Sequence, residues 1–370
     1  MNIEWKIPMN SFKVPRIRFK GFDVVWLEKR IADIVKISAG GDVDKERLKE
    51  SGKYPVVANS LTNKGIVGFY DDYKVKAPAV TVTGRGDVGY AVARHENFTP
   101  IVRLLTLQSD NIDVDYLENQ INSMRILNES TGVPQLTAPQ LGNYKVYHPE
   151  IDEQSAIGSL FRTLDDLLAS YKDNLANYQS LKATLLSKMF PKAGHTVPEI
   201  RLDGFEGEWE RKNLSEVCCI NSGRDYKHLK DGDIPVYGTG GYMLSVNDKL
   251  SDEDSIGIGR KGTIDKPYLL SAPFWTVDTL FYVTCKVDYD LYYLFLIFQK
   301  VRWKKFDEST GVPSLSKKTI EKVVSKFPSL LEQQAIGAYF SNLDNLINSH
   351  QEKISQLETL KKKLLQDMFI

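Results

Sequence analysis

The chain contains an internal duplication, and this feature constrains its fold more than any other. Placing residues 130–190 over residues 309–369 gives 23 identities in 61 positions without a gap, including the run Ser-Thr-Gly-Val-Pro in both copies. A second match places residues 14–26 over residues 197–209. Each half therefore begins and ends alike, while the residues between these ends align poorly. The sequence predicts two structural repeats that share their first and last segments and differ in the residues between them.

The last part of each half has the apolar spacing of a coiled coil. From Ile157 to Met189, and again from Ile336 to Met368, apolar residues recur in steps of four and three. Neither segment contains a proline, nor a glycine after its first turn, so each predicts one helix of nearly 40 residues, roughly 55 Å long. Because isolated helices are marginal in water, we expect the two copies to pair, in an antiparallel arrangement with a pseudo-two-fold axis.

Between the repeated ends, short apolar segments separated by glycine-rich turns indicate β-strands. These are residues 54–58, 80–83, 234–237, 255–258 and 279–284. Residues 114–127 and 289–306 have the pattern of helices, and the apolar run 291–298 fits a buried helix face. We therefore predict an α+β fold with a pseudo-two-fold internal repeat. Two mixed α/β domains, residues 1–148 and 191–327, are joined by two long helices, residues 149–190 and 328–370.

Composition and motifs argue against an enzyme. Lys and Arg together number 48, as do Asp and Glu, so any DNA-binding surface must be a local patch. Residues 84–89 and 257–262 match GxGxxG, but neither run opens a helix that could hold a pyrophosphate. The chain has no GxxxxGK[ST], HExxH or GxSxG motif, and no Asn-Pro-Pro or Asp-Pro-Pro motif of amino-methyltransferases. We predict no catalysis, no cofactor and no metal.

Cysteine usage and hydropathy suggest where the protein works. Cys218, Cys219 and Cys285 have the spacing of neither a disulfide framework nor a zinc site, and we predict that all three are buried. No apolar stretch reaches the roughly 20 residues that span a bilayer, and the N-terminus lacks the apolar core of a signal peptide. These features predict a soluble cytoplasmic protein.

The start of each predicted long helix resembles a known family. Residues 149–158 read PEIDEQSAIG, and the second copy repeats the Glu-Gln and Ile-Gly pairs at residues 332–333 and 336–337. Together with the Gly-Phe and Trp of both half-openings, this duplicated pattern resembles the specificity subunit of Type I restriction–modification enzymes over nearly the whole chain. The resemblance implies two target-recognition domains that each read one half of a split DNA sequence. It also implies that the paired helices set the spacing between the halves.

The resemblance implies partners as well. They are double-stranded DNA, two modification (methyltransferase) subunits that bring S-adenosylmethionine, and restriction subunits that join through the complex and bring ATP-driven cleavage. Within the repeated helix motif we assign partner contact to Glu153, Gln154, Phe161, Glu332, Gln333 and Phe340.

Basic residues between glycines are the candidates for DNA contact. Glycines let a loop approach a duplex closely, and an arginine can hydrogen-bond to phosphate or to the edge of guanine. Placing residues 83–88 over residues 258–263 pairs Arg85 with Arg260. The predicted DNA-binding residues are Lys64, Thr83, Arg85, Arg224, Lys227, Tyr237, Thr239, Arg260 and Lys261. The alternative for each loop is a solvated turn, and for Tyr237 a core position.

A rival hypothesis is a non-catalytic coiled-coil scaffold whose globular modules bind protein partners. The heptads are compatible with both hypotheses, because they show only that helices pair. A protein-binding module, however, does not need cations between glycines, and its binding would lack the steep salt dependence of phosphate contacts.

Overall fold

The computed structural model describes residues 14–126 and 134–369. It divides into two compact units: unit 1 is Met1–Asp173 with Glu352–Ile370, and unit 2 is Asn174–Gln351. Each unit thus combines one recognition domain with parts of both long helices. The first copy of the repeated run Ser-Thr-Gly-Val lies outside the described residues.

Unit 1 contains two sheets and a short ribbon. The strands are β1 Leu27–Arg30, β2 Lys36–Ala39, β3 Tyr54–Val57, β4 Ile66–Tyr70, β5 Ala79–Val82, β6 Ala91–Arg94, β7 Thr99–Pro100, β8 Leu105–Gln108 and β9 Lys145–His148. A four-stranded antiparallel sheet has the order β2-β8-β5-β6, a three-stranded sheet the order β4-β3-β7, and the ribbon pairs β1 with β9. The helices are α1 Ile31–Ile34, α2 Val114–Ser123 and α3 Ala138–Asn143, followed by the long helix α4 Ile151–Lys188.

Unit 2 repeats this topology with different residues. Its sheets have the orders β11-β17-β14-β15 and β13-β12-β16, and its ribbon pairs β10 with β18. The strands are β10 Glu210–Asn213, β11 Cys218–Ser222, β12 Asp231–Gly238, β13 Gly241–Val246, β14 Ser255–Gly259, β15 Tyr268–Leu270, β16 Trp275–Thr276, β17 Leu280–Cys285 and β18 Val324–Phe327. The helices are α5 Leu214–Val217, α6 Leu291–Lys300, α7 Lys317–Glu321 and the long α8 Leu330–Met368.

The structure confirms the predicted mixed sheets. In each unit the three-stranded sheet contains one parallel pair, β3 with β7 and β12 with β16, and its other pair is antiparallel. All five predicted strands are present, and neither glycine-rich run opens a helix. The apolar run 291–298 forms the buried part of α6, as predicted. The two shorter helices end earlier than predicted, at Ser123 and Lys300, and a 3-10 turn at Trp303–Phe306 follows α6.

The cysteine prediction is wrong in part. Cys218 is buried, Cys285 is half-buried and Cys219 is exposed. Neighbouring residues of a strand face opposite sides of the sheet, so Cys218 and Cys219, adjacent on β11, cannot both face the core. Burial raises the pKa of the Cys218 thiol to about 12.

The two long helices pair in antiparallel fashion, as predicted. In unit 1, Lys361 Nζ lies 2.5 Å from an oxygen of Asp165, and Lys172 Nζ lies 2.7 Å from one of Glu358. In unit 2, Lys182 Nζ lies 2.7 Å from an oxygen of Asp344. Residue numbers on α8 therefore fall as those on α4 rise. The helices contain 38 and 39 residues, matching the predicted length.

Most of the predicted apolar seam is buried or half-buried, but two of its positions are exposed. Leu181 and Leu360 occupy equivalent places in the two copies and are 43% and 44% exposed. Both follow two successive three-residue steps in the apolar pattern. At about 100° per residue, each such step turns a position roughly 60° around the helix, and two in a row carry it off the buried face.

Unit 1 has a polar cavity of about 830 Å³ beside the long helices, lined by residues of β6, α2, α4 and α8. Glu118 on α2 lines it together with Asp115 and Asp165. Burial, reinforced by the charge of Asp165, raises the pKa of the Glu118 carboxyl to about 7. The equivalent position in unit 2 is Phe295, which is buried among apolar side chains. The cavity is thus a point at which the two units differ chemically.

We expect Glu118→Gln to stabilise unit 1 at pH 8. A carboxyl whose pKa is raised on folding binds its proton more tightly in the folded state, so stability falls as pH rises from about 4.5 to about 7. Glutamine removes that loss. At about 1.4 kcal/mol per pKa unit, and allowing for partial exposure, the gain should be about 1–3 kcal/mol at pH 8 and near zero at pH 4.5. Denaturant unfolding at both pH values measures it, with the exposed Glu50→Gln as control. Equal stability of variant and parent at pH 8 would contradict the assignment.

Candidate nucleic-acid interface

The glycine loop of unit 1, between β5 and β6, is tied to two other loops. The amide of Gly84 donates to Asn59 Oδ1 at 2.7 Å, and Asn59 Nδ2 donates to the Val102 carbonyl at 2.6 Å. Arg85 forms a β-bridge with Gln135. Arg85 is half-buried and forms no ion pair within the described part of the chain. The loop therefore holds a basic side chain on a fixed backbone.

The bridge partners correct the pairing of the two glycine loops. Lys261, and not Arg260, forms the bridge to Ser314 that corresponds to the bridge between Arg85 and Gln135. The carbonyls of Gly84 and Arg260 likewise accept equivalent bonds, from the amides of residues 136 and 315. The following glycines, residues 86 and 262, both have positive φ angles of 72° and 90°. Arg85 is therefore the structural equivalent of Lys261, one position away from the predicted alignment.

Arg260 and Lys261 are both exposed, but their surroundings differ. The Arg260 guanidinium lies 5.9 Å from the centre of the Phe281 ring, and its Nη1 donates to the Asp278 carbonyl at 3.5 Å. Lys261 forms no ion pair within the described residues. Thr239 comes close to this loop, because a Cβ placed on Gly262 would lie 3.8 Å from the Thr239 hydroxyl. Three of the predicted DNA-binding residues are thus brought together.

Thr83 is not available for DNA. It is 5% exposed, its hydroxyl donates to the Asp87 carbonyl at 2.5 Å, and it accepts from the Tyr90 amide at 2.9 Å. Both bonds lie within the glycine loop. The residue therefore shapes the loop from inside, and we withdraw the prediction that it contacts DNA.

Lys64 lies in a strained turn that a buried arginine holds. Asn63 and Lys64 have positive φ angles of 48° and 49°. Arg94, only 8% exposed, donates to the Lys64 carbonyl at 2.6 Å and to the Thr81 hydroxyl at 3.0 Å. Burial lowers the pKa of Arg94 to about 10. Sequence reasoning missed Arg94, because a cation inside a predicted strand gives no sign of binding a distant carbonyl.

Sequence reasoning also missed Arg103. This exposed residue has a φ of 58°, follows Val102 at 52°, and sits in the loop that Asn59 ties to the Arg85 loop. Non-glycine residues with positive φ concentrate at functional sites, where surrounding contacts hold the strain. No glycine flanks Arg103, so the signal used for the other candidates was absent.

The remaining candidates of unit 2 surround a cavity of about 670 Å³. Lys227 and Thr239 line it, together with the turn between β12 and β13. Arg224 is exposed beside it, its carbonyl accepting from Trp275 Nε1 at 2.9 Å. Tyr237 packs among Tyr242 and Tyr268 and belongs to the apolar cluster beneath, whereas Tyr242 is 64% exposed. Tyr242 is thus the better placed of the two to meet a base or sugar.

The residues predicted to contact partners lie inside the units. Glu153 is 1% exposed, and its carboxylate accepts from Arg18 Nε and Nη2 at 2.5 and 2.7 Å and from Trp26 Nε1 at 3.0 Å. In unit 2, Glu332 accepts from Arg201 Nε and Nη2 at 2.8 and 2.7 Å. The arginines belong to the repeated half-openings. Each glutamate therefore fastens the start of a long helix to the first residues of its own recognition domain.

Neighbouring residues of the motif complete this helix-start joint, which we define as the Glu, Gln and Gly at residues 153, 154 and 158 and their copies 332, 333 and 337. Gln154 accepts from the Asp113 amide at 3.1 Å and donates to the Pro149 carbonyl at 2.8 Å. Gln333 makes the equivalent bonds to Asp290 and Pro328, at 3.2 and 2.9 Å. These aspartates cap α2 and α6. A Cβ on either glycine would collide with the capping carboxylate.

The two phenylalanines are also internal. Phe161 lies against Phe369 in unit 1, with ring centres 5.6 Å apart, and Phe340 lies 6.4 Å from Phe190 in unit 2. Neither is exposed. The assignment of partner contact to Glu153, Gln154, Phe161, Glu332, Gln333 and Phe340 is therefore wrong, because these side chains are already satisfied within the chain. The motif repeats because each unit needs the same joint.

Exposed leucines on the long helices are better candidates for partner contact. Leu167 and Leu346 are equivalent and are 40% and 45% exposed, and Leu181 and Leu360 form a second such pair. Unit 1 thus carries Leu167 and Leu360, and unit 2 carries Leu346 and Leu181. Because all four side chains are exposed, packing inside the units does not explain why both copies have leucine at these positions. We call these four residues the outer leucines.

Among residues 14–126 and 134–369, no group of His, Cys, Asp and Glu could hold a metal ion. Within the same ranges, no helix is both long and apolar enough to cross a membrane.

Comparison with known proteins identifies the family. The model of the Type I restriction modification DNA specificity domain matches twice, at residues 24–178 and 206–359. The chain belongs to this family. It is a DNA specificity subunit of a Type I restriction–modification system, and the two matches correspond to the two halves of the duplication.

Relatives of this specificity subunit have the same extent. A Mycoplasma pneumoniae protein described as a type I specificity subunit is 22% identical over 353 residues, covering 90% of this chain and 94% of the relative. The specificity subunit of the Type I restriction enzyme MjaVIII from Methanocaldococcus jannaschii is 22% identical over 400 residues, covering 92% and 91%. The crystal structure of an S subunit from M. genitalium matches with a TM-score of 0.77 at 18% identity, over 96% of this chain and 99% of that one. Its likeness supports the fold described above.

Proposed function

We propose that each unit of this specificity subunit reads one half of a bipartite DNA target through its glycine loop. The observation that carries the proposal is the equivalence of Arg85 and Lys261. Both are basic, both stand before a glycine with positive φ, and both are held by the same bridge in domains whose other residues differ. A fold that is repeated with different recognition loops suits a DNA target whose two halves have different sequences.

The chemistry of these loops suits a duplex. An arginine or lysine can bind phosphate, or the O6 and N7 atoms of guanine in the major groove. Arg103 adds a cation to the loop beside Gly84, and Arg260 adds one beside Lys261. Lys64, Lys227 and Arg224 are further exposed cations of the same two units. The whole chain has no net charge, so these local groups supply the attraction to phosphate.

The paired helices would set the spacing between the half-sites and dock the modification subunits. Two identical partners need two equivalent surfaces, and the outer leucines provide a pair in each unit. Methyl transfer, ATP hydrolysis and cleavage would then belong to the partner subunits, and the specificity subunit itself would be non-catalytic and act in the cytoplasm. Family membership removes the reason to retain a protein-binding scaffold as a second hypothesis.

We expect Arg85→Ala and Lys261→Ala to alter opposite halves of the methylated motif. Loss of a base contact costs about 1–3 kcal/mol, so preference at the affected position should fall roughly 5- to 150-fold. Methylation profiling of DNA from cells that carry the complete complex reads out both halves at once. Lys172→Ala, which removes an exposed cation from α4, is the control and should leave the motif unchanged.

The outcome also tests the assignment of loops to half-sites. If either variant relaxed both halves equally, recognition would not be divided between the units. If neither variant changed the motif, the glycine loops would not be the readers.

A further inference from the structure

The run Ser-Thr-Gly-Val-Pro is identical in the two halves, although the recognition domains around it differ. In the second copy, only its ends have internal roles. The Ser309 hydroxyl donates to Asp307 Oδ1 at 2.9 Å, and the Pro313 carbonyl accepts from the Gly262 amide at 2.8 Å. These bonds hold the turn against the glycine loop.

The three residues between these ends have no internal role. Thr310, Gly311 and Val312 are all exposed, Val312 to 67%. A Cβ placed on Gly311 would meet nothing within 4 Å. Within the described part of the chain, the three make no hydrogen bond or ion pair. In unit 2, packing and folding therefore do not explain why these three residues are present.

Cations adjoin the turn, and the two carboxylates directly before it, those of Asp307 and Glu308, accept hydrogen bonds within unit 2. The bridge between Lys261 and Ser314 joins the turn to the predicted reading loop. Before the turn, Arg302 and Lys305 are exposed and form no ion pair within the described residues. Buried Trp303 holds this segment in place by donating from Nε1 to the Phe298 carbonyl at 2.8 Å.

In unit 1, the residues on either side of the first copy in the sequence match those of unit 2. Gln135, directly after the run, bridges to Arg85, and Arg125 is exposed just after α2, at the position equivalent to Arg302. The flanking structure is thus duplicated together with the run.

A sequence that is identical in two units with different recognition loops is unsuited to reading bases, so its ligand should be one that both units share. The sugar–phosphate backbone is common to all DNA sequences, and contacts to it fix position without reading bases. We propose that Thr310, Gly311 and Val312 bind the DNA backbone beside the half-site that unit 2 reads. This inference rests on the proposed function, since it assumes that the neighbouring loops lie on DNA.

Each residue of the tip suits this task. The Thr310 hydroxyl can donate to a phosphate oxygen, and Gly311 allows the main chain to come close to the strand. Val312 can pack against a deoxyribose ring. The three unpaired cations named above outnumber these two carboxylates, and this balance favours a polyanion over a protein partner at this place.

The test uses the chain assembled with its modification subunits. Thr310→Val with Val312→Ser removes the hydroxyl and the apolar contact. We expect binding to weaken about 10- to 150-fold, because a hydrogen bond to a charged group is worth about 1.5–3 kcal/mol. The loss should be equal for a duplex that carries the methylated motif and for one with both half-sites scrambled, and the motif should not change. Val287→Ser, at an 86% exposed valine, is the matched control and should have no effect.

Three results would overturn the proposal. A loss on the motif duplex alone would mean that the tip reads bases. Loss of assembly without DNA would mean that it binds a modification subunit, and unchanged affinity would leave it a solvated turn. If the proposed function itself were wrong, the result would be distinguishable, because the unaltered complex would bind the motif duplex and the scrambled duplex equally.

Discussion

Replacing Glu153 with glutamine is expected to lower the free energy of unfolding of unit 1 by about 3–5 kcal/mol. The carboxylate is 2% exposed and binds two nitrogens of Arg18, whose side chain is only 10% exposed. Glutamine would leave this guanidinium buried without a counter-charge. Glu332→Gln should have a similar effect in unit 2, where the side chains of Arg201 and Glu332 are 16% and 2% exposed.

Denaturant unfolding of the full chain measures both losses. The control is Glu358→Gln, which breaks the pair with Lys172, where the two side chains are 52% and 54% exposed. Such an exposed pair should contribute less than about 1 kcal/mol. Arg201→Met combined with Glu332→Leu should cost less than Glu332→Gln alone, because no unpaired charge remains. A loss for Glu153→Gln no larger than that of the exposed control would show that the joint does not stabilise the unit.

Changing the outer leucines to glutamate is expected to remove modification subunits one at a time. With Leu167→Glu and Leu360→Glu, unit 1 should bind its partner on the order of 10³-fold more weakly, because two apolar anchors become carboxylates that lose water on binding. Unit 2 should still bind, giving a complex with one modification subunit. Adding Leu181→Glu and Leu346→Glu should leave none. The measurement is the mass of the purified assembly in solution.

A matched control comes from the repeat itself. Leu331 on α8 is 72% exposed, but its equivalent on α4 is Asp152, so this position is not a repeated leucine. Leu331→Glu should leave assembly intact. All five leucines are at least 40% exposed, so these changes should not unfold the chain. A two-partner complex that survived all four changes would place docking elsewhere.

The sequence alone determined the architecture. The duplication, the apolar period of the terminal segments and the strand patterns required two mixed domains and two paired helices, and all of these are present. Such features are local or periodic, so each follows from residues close together in the chain. The resemblance carried by the helix motif also led to the correct family.

What the sequence could not decide was which residues face which way. Glu153 and Gln154 look like surface residues at a helix start, but Arg18 and Asp113 come from segments far away in the chain and bury them. The sequence alignment of the two glycine loops was wrong by one residue, because the loops share too few identical residues to fix their register. Only the bridges to Gln135 and Ser314 made Lys261 the equivalent of Arg85. Long-range contacts of this kind arise from the fold as a whole. Only the tertiary structure therefore distinguished the residues that stabilise each unit from the exposed residues that can contact DNA or a partner.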